Sequence, residues 1–152
     1  MHAQNINKNK DLKLLYVYEK IDKLGKKASK LYNCNFEKNY KKIFSDKNVD
    51  IIFISSPTDT HINFIEESIK YKKTIFCEKP LDLNIHKISK ISKKVKKNKS
   101  KIQLGFNRRY DPGHHSIKID LDRNKIGRLE KIIITSRDPA PPTRAYLKSS
   151  GG

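Results

Sequence analysis

Apolar positions fall along the chain in two kinds of block. Leu12, Leu14, Leu15, Tyr16, Val17 and Tyr18 run almost unbroken, and so do residues 49–55, VDIIFIS. Runs of this kind suit strands covered on both faces. Thr74 to Cys77, Lys101 to Phe106 and Glu130 to Ser136 (with IIIT at its centre) read as further strands. Between them the apolar spacing changes to three and four, the helical step. Ile21, Leu24, Ala28 and Leu31 form one stripe, and Phe36, Tyr40, Ile43 and Phe44 a shorter one. Ile62, Ile65 and Ile69 form a third, with Glu66 and Lys70 as an i,i+4 pair on that helix. Ile85, Ile88, Ile91 and Val95 form a fourth, capped by Asp82 or Asn84. Residues 1–9 read as the end of a helix. Pro112 and Gly113 open a turn, and Ile117 and Leu121 seed a helix that Gly127 ends.

Strands alternating with helices predict an α/β layer built on a parallel sheet. In such a sheet ligands bind beyond the carboxyl ends of the strands, so the residues that close each strand are the candidates for chemistry. The segment 138–143, DPAPPT, is too proline-rich for regular structure.

Composition narrows the partners. The 152 residues allow one domain, or one and part of a second. No apolar run approaches membrane-spanning length, and MHAQNINKNK lacks the apolar core of a signal peptide. No membrane partner is expected. Cys34 and Cys77 have no metal-type spacing, so no metal site is expected, and a reduced, cytoplasmic setting is the default. The net charge of +18 raises the question of a nucleic-acid or anionic-surface partner. The lysines are spread over most predicted helices and accompany many isoleucines and asparagines, a bias that A/T-rich codons produce. Decoration of solvated faces is the expectation, and a nucleic-acid partner is not.

Four strand ends carry polar groups. Glu19 closes the first and is able to accept from the two hydroxyls of a ribose. Ser56-Pro57-Thr58-Asp59-Thr60-His61 ends the second and starts a helix, where hydroxyls and free amides meet a polar ligand; plain capping by Thr58, Asp59 or Thr60 is the local alternative. A lone His61 is more often a satisfied structural histidine. Glu78-Lys79-Pro80 ends the third. Lys79 there donates to a substrate hydroxyl or is an ordinary loop lysine, and Lys79-Pro80 is a candidate cis bond. Asn107-Arg108-Arg109-Tyr110 follows the fourth, with arginines that fork onto hydroxyls, carboxylates or phosphates, or serve as surface charge.

With these residues in view, the chain resembles the Gfo/Idh/MocA oxidoreductases. The matching stretches are HAQNI (2–6), SPTDTH (56–61), FCEKPLDL (76–83), GFNRRYDP (105–112), IGRLEKIIITSRDPAPP (126–142) and SGG (150–152). Glu-Lys-Pro is specific to the family, and GFNRRYDP and TSRDPAPP point to its inositol branch. The resemblance implies a nicotinamide-binding Rossmann domain over residues 1–107, and the start of a truncated α/β substrate and oligomerisation domain over 108–152. It implies NAD as cofactor and a polyol substrate, myo-inositol oxidised to 2-keto-myo-inositol; another sugar or polyol is the alternative within the family. A non-catalytic basic binding module is the alternative outside it. Intact relatives form homotetramers.

The resemblance also implies roles. Glu19 would hold the ribose and favour NAD over NADP. Ser56, Pro57, Thr58, His61 and Asn107 would contact the cofactor, with Glu78 near the nicotinamide. Lys79 would be the catalytic lysine on the reacting hydroxyl, and Arg109 and Asp138 would lie in the substrate site. The family's first strand and Gly-x-Gly-x-x-Gly loop would precede Met1, and its catalytic Asp/His segment would follow Gly152. The expectation is therefore a fragment with negligible turnover alone. Its Rossmann-type sheet would be incomplete: the 3-2-1-4-5-6 order puts the missing first strand at the centre, between Leu12–Tyr18 and Val49–Ser55. The Glu130–Ser136 strand would open the substrate domain.

Overall fold

A computed structural model describes residues 1–137 and 140–144. Eleven helices and strands follow in chain order: α1 (His2–Lys8), β1 (Tyr16–Tyr18), α2 (Asp22–Tyr32), β2 (Asn35–Glu37), α3 (Tyr40–Ser45), β3 (Ile51–Ile54), α4 (His61–Lys70), β4 (Thr74–Cys77), α5 (Ile85–Lys97), β5 (Ile102–Leu104) and α6 (Pro112–Asp122). All strand pairs are parallel. They fall into two sheets, β1-β2 and β3-β4-β5. The interruption lies where the sequence expectation put it, between the first strand and the strand ending at Ile54. β1 and β3 each keep one edge with no ladder partner among the described residues.

The core lies on the three-stranded sheet. Ile52, Ile54, Ile75 and Cys77 alternate with less buried neighbours and meet Ile65 and Ile69 of α4 and Ile91 of α5. Ile65 is wholly buried, so truncating it would leave a cavity in the core. Aromatic rings join the two sheets from outside. Tyr18 of β1 meets Phe64 of α4 edge-on at 5.8 Å, and Tyr40 of α3 touches both. Edge-to-face contacts of this kind are worth more than the area they bury. A polar knot adds to them: Tyr16 donates its hydroxyl proton to Asp46 at 2.7 Å, and Lys73 Nζ donates to the carbonyls of Asp46 and Val49.

Several sequence expectations need correction. Phe36 belongs to a strand, β2, and not to the helix of Tyr40, Ile43 and Phe44. Helical spacing grouped it with them, but its parallel pairing to Val17 decides its conformation. The α2 stripe is not buried: Ile21, Leu24 and Leu31 are 57, 50 and 66% exposed, and the buried position is Gly25. Glu66 pairs with Lys94 of α5 at 2.9 Å, while Lys70 places its ammonium over the Tyr71 ring. Pro112 and Gly113 begin α6 instead of opening a turn, because Asp111 caps it through the His114 amide. That helix stops at Asp122, well before Gly127. Glu130 to Ser136 forms no strand among the described residues, and Ile132, Ile133 and Ile134 are exposed. A strand exists only as a member of a ladder, and no described segment lies alongside to complete one.

Candidate functional site

The register of the three-stranded sheet brings Ile54, Cys77 and Leu104 level. The backbone leaving them stays in step: Glu78 N–H donates to Ile54 O at 2.9 Å, and Gly105 N–H to Cys77 O at 2.8 Å. Residues 55–61, 78–81 and 105–111 therefore leave the sheet from one edge. His61 ties the first two. It is 1% exposed, its Nδ1 lies 2.9 Å from Pro80 O, and its Nε2 lies 2.9 Å from Ser56 O. Both ring nitrogens face backbone carbonyls, each tautomer donating to one of them, so His61 sits between the two loops and offers no free nitrogen outward.

The Ser-Pro loop does not cap its helix as expected. Thr58–Thr60 forms a 3-10 turn that leads into α4, and Thr60, at the cap position, makes no side-chain capping bond. Its hydroxyl donates to Pro57 O at 2.6 Å and stands 2.6 Å from Ser56 Oγ. Thr58 is half-buried and Pro57 exposed at the rim. The Lys79-Pro80 bond is cis. Lys79 is exposed and its ammonium has no partner among the described residues.

Glu78 is held from three sides. Its Oε1 lies 2.7 Å from His2 Nε2, its Oε2 accepts from the Lys79 amide at 3.1 Å, and Gly105 packs against the carboxylate. A Cβ on Gly105 would stand 3.0–3.1 Å from it. The His2 ring rests on Phe76 and Phe53. His2 and Gly105 were missed as site residues. The pairing of His2 spans 76 positions and leaves no local mark, whereas a glycine just past a strand end was a usable signal. Beneath this group the Cys77 thiol is pushed up to about 12 by burial and by the Glu78 charge.

Glu19 sits at the end of β1, on the other sheet. Its Oε1 accepts from the amides of Lys20 (2.7 Å) and Ile21 (3.1 Å), and its Oε2 has no partner among the described residues. Asn107 and Arg109 are exposed in the 3-10 turn Asn107–Tyr110. No hydrogen bond joins Glu19 or Arg109 to the Ser56–Pro80 group among the described residues. It is Arg108, and not Arg109, that reaches the 134–137 segment, donating to Ser136 Oγ at 3.0 Å. Arg108, Tyr110, Asp111 and His114 face that segment across an open cleft of about 510 Å3. The His114 amide and ring hold the Asp111 carboxyl below the usual range. Asp138 lies outside the described residues. Among the described residues no cluster suits a metal ion, and no helix is long and apolar enough to cross a membrane.

A dinucleotide fits the groups present. Glu19 has no partner on its second carboxylate oxygen among the described residues, which leaves an acceptor at a strand end for a ligand hydroxyl. Lys79, without a partner among the described residues, stands at the edge where Gly105 leaves no side chain of its own. Parallel strands with helices between them, and polar groups gathered at their carboxyl edge, define a nucleotide-binding domain of the Rossmann kind.

Comparison with known proteins agrees. Residues 1–106 match the family model described as "Oxidoreductase family, NAD-binding Rossmann fold". The chain belongs to the Gfo/Idh/MocA family of oxidoreductases. It is 36% identical over 152 residues to an inositol 2-dehydrogenase of Rhizobium meliloti (strain 1021), covering 100% of this chain and 46% of the relative. It is 37% identical over 157 residues to a myo-inositol 2-dehydrogenase of Thermotoga maritima, with the same coverage. Among solved structures it superposes with a TM-score of 0.94 on a putative myo-inositol dehydrogenase from Sinorhizobium meliloti 1021, at 36% identity, over 99% of this chain and 46% of that one. A scyllo-inositol dehydrogenase from Lactobacillus casei with bound NAD(H) and scyllo-inositol gives a TM-score of 0.77 at 31% identity, over 83% of this chain and 38% of that one. The chain thus spans about half the length of these relatives.

Proposed function

We propose that these residues form part of an NAD-dependent inositol 2-dehydrogenase that converts myo-inositol to 2-keto-myo-inositol, in a cytoplasmic setting. The observation that carries the reading is the clamp at His61, which holds the Ser56-Pro57-Thr58 and Glu78-Lys79-Pro80 loops side by side at the carboxyl edge of a parallel sheet. NAD, when bound, takes up the hydride that leaves the ring carbon. In this reading Glu19 accepts from the ribose. Ser56, Pro57, Thr58 and Asn107 shape the cofactor edge, with His61 fixing the loop beneath them. Glu78 borders the nicotinamide. Lys79 would donate a hydrogen bond to the substrate oxygen and stabilise the negative charge that develops there as the hydroxyl proton passes to a general base, the histidine that the family resemblance implies outside these residues. Arg109 and Asp138 hold the remaining ring hydroxyls.

For the 152 residues alone the proposal is negligible turnover. Its support is the split sheet: β1, which carries Glu19, and β3, which leads to Ser56, share no ladder neighbour among the described residues. An enzyme-like rate from the isolated chain would overturn that part.

The main test uses the protein as its cell produces it, supplied with NAD and a panel of cyclitols and sugar alcohols. Formation of NADH should be fastest with myo-inositol. Lys79→Met should lower kcat by about 100-fold or more while leaving NAD affinity within about threefold. A preference for another polyol would move the protein within the family, and full activity in Lys79→Met would remove the assigned chemistry.

A further inference from the structure

Lysine dominates the edge opposite the candidate site. Because β3, β4 and β5 are parallel, their first residues lie along one edge. Backbone bonds tie those starts together: Thr74 N–H donates to Asp50 O at 3.0 Å, and Ile75 N–H to Lys101 O at 2.9 Å. β1 begins at the same edge, since its first residue, Tyr16, bonds Asp46 just before β3. Lysines stand before each of these strands: Lys10 and Lys13 before β1, Lys47 before β3, Lys72 before β4, Lys99 and Lys101 before β5. All six are exposed, and none enters an ion pair among the described residues.

The balance at the two edges differs. At the carboxyl edge the signs alternate: Glu19 with Lys20, Glu78 with Lys79, Arg109 with Asp111. At the strand-start edge the acids are Asp11, Asp46 and Asp50, and the Asp46 carboxylate is already engaged by Tyr16 and Asn48. Cations at helix carboxyl ends complement the macrodipole, which accounts for lysines in the last turns of α4 and α5. The effect fades within a turn, so it does not account for Lys13, past the end of α1, or Lys101, past the end of α5.

We propose that this edge binds the phosphate backbone of nucleic acid without regard to base sequence. The lysines that looked dispersed in the sequence are collected by the topology, since every αβ connection of a parallel sheet returns to the same side. They follow the strand order as a row, the footprint of a linear polyanion more than of a flat surface. Lysine suits that role as a flexible point charge that neutralises phosphates and reads no base. The candidate dehydrogenase cleft lies at the far end of the strands, so the two ligands do not compete.

The test is fluorescence anisotropy of a labelled, mixed-sequence DNA duplex titrated with the 152-residue chain across a salt series. Binding at low salt should weaken linearly in log Kd against log salt. The triple variant Lys72→Gln, Lys99→Gln and Lys101→Gln should weaken binding at least about tenfold and reduce the salt slope by about 3. The matching triple Lys23→Gln, Lys26→Gln and Lys27→Gln on α2 carries the same net charge and should stay within about twofold of the parent. Arginine at positions 72, 99 and 101 should restore binding, which separates lost charge from lost folding. Saturating NAD should leave the titration unchanged. Equal losses in the two glutamine triples would overturn the proposal. So would no binding at low salt, or retention on phosphatidylserine vesicles at a salt concentration that releases the duplex.

Discussion

His2 and Glu78 stand 76 positions apart in the chain and 2.7 Å apart in space, imidazole to carboxylate. The contact pins the start of α1 to the end of β4. The His2 ring lies 5.2 Å from that of Phe76, so the same residue covers the sheet face and holds the acid. Glu78 is thereby fixed beside Lys79 instead of swinging into solvent. The candidate lysine inherits a loop that is anchored at Glu78 on one side and, through the Pro80 carbonyl, at His61 on the other.

Gly105 is the third wall of this arrangement, and it supplies a test. Gly105→Ala would set a Cβ 3.0–3.1 Å from the Glu78 carboxylate, so that Glu78 must give way slightly while His2 and the Lys79 amide hold it. The expected cost is about 1–2 kcal/mol in urea unfolding, the range of mild overpacking. His2→Ala frees Glu78 to move aside. The double variant should therefore lose less than the sum of the singles, a coupling that a thermodynamic cycle reads directly. Strict additivity would show that Glu78 already yields without breaking its bond to His2.

A larger clash is expected at Gly25. An added Cβ there falls 2.1–2.6 Å from ring atoms of Phe36, on the strand that α2 covers. The ring must shift to make room, and with it the packing of α2 on β2. Gly25→Ala should gain helix propensity and still destabilise, by about 1–3 kcal/mol. Pairing it with Phe36→Leu should recover part of the loss. Stabilisation by Gly25→Ala alone would mean that α2 rides loosely on β2.

Acid should weaken the join between the two sheets. The Asp46 carboxyl is held below the usual carboxylate range, first by the Asn48 amide and then by the Tyr16 hydroxyl. A depressed folded-state pKa contributes stability that is present above the unfolded value, about 4, and is lost as pH falls through the folded one. Asp22, Glu37 and Asp111 are lowered too, so the whole chain should lose stability over that window. Asp46→Asn should show a shallower decline in melting temperature as pH drops from about 5 toward 2. Tyr16→Phe should flatten it less, because the leading cause is the Asn48 amide. Identical pH profiles for parent and Asp46→Asn would remove the carboxylate from this role.

Periodicity revealed what was strongly patterned and local. Residues 51–54 and 75–77 are unbroken apolar runs between charged or polar neighbours, and both lie in strands in the expected parallel order. Asn35–Glu37 offers one apolar residue in three, so only its pairing with β1 makes it a strand. The α2 stripe was real as a pattern. An amphipathic spacing states that a face can be covered, not that a described segment covers it. At the candidate site the Ser-Pro and Glu-Lys-Pro loops were legible because proline and strand ends mark them. The roles inside them were not. His61 turned out to serve two carbonyls, and Glu78 to lean on a histidine from the first turn of the chain, relationships that exist only after folding. Counted along the chain the lysines look scattered, and only the return of each helix to the sheet's starting edge places lysines before β1, β3, β4 and β5 on one side.

Cys77 offers a check on the core beneath the site. Its side chain is fully buried, and burial with the Glu78 charge pushes the thiol up to about 12. The thiolate is the reactive form, so at pH 8 almost none is present. Cys34 is partly exposed, and its thiol is raised by burial alone. A thiol reagent at pH 8 should therefore label Cys34 first and slowly, and Cys77 only as the chain unfolds in urea. Cys77→Ser, which puts a hydroxyl where sulfur made only a weak contact with the Glu78 carbonyl, should cost about 1–3 kcal/mol. Cys77→Ala should cost less than Cys77→Ser if polarity outweighs volume at this position. Rapid labelling of Cys77 in the native state would show that β4 opens without global unfolding, and that the loop carrying Lys79 is not held by the sheet beneath it.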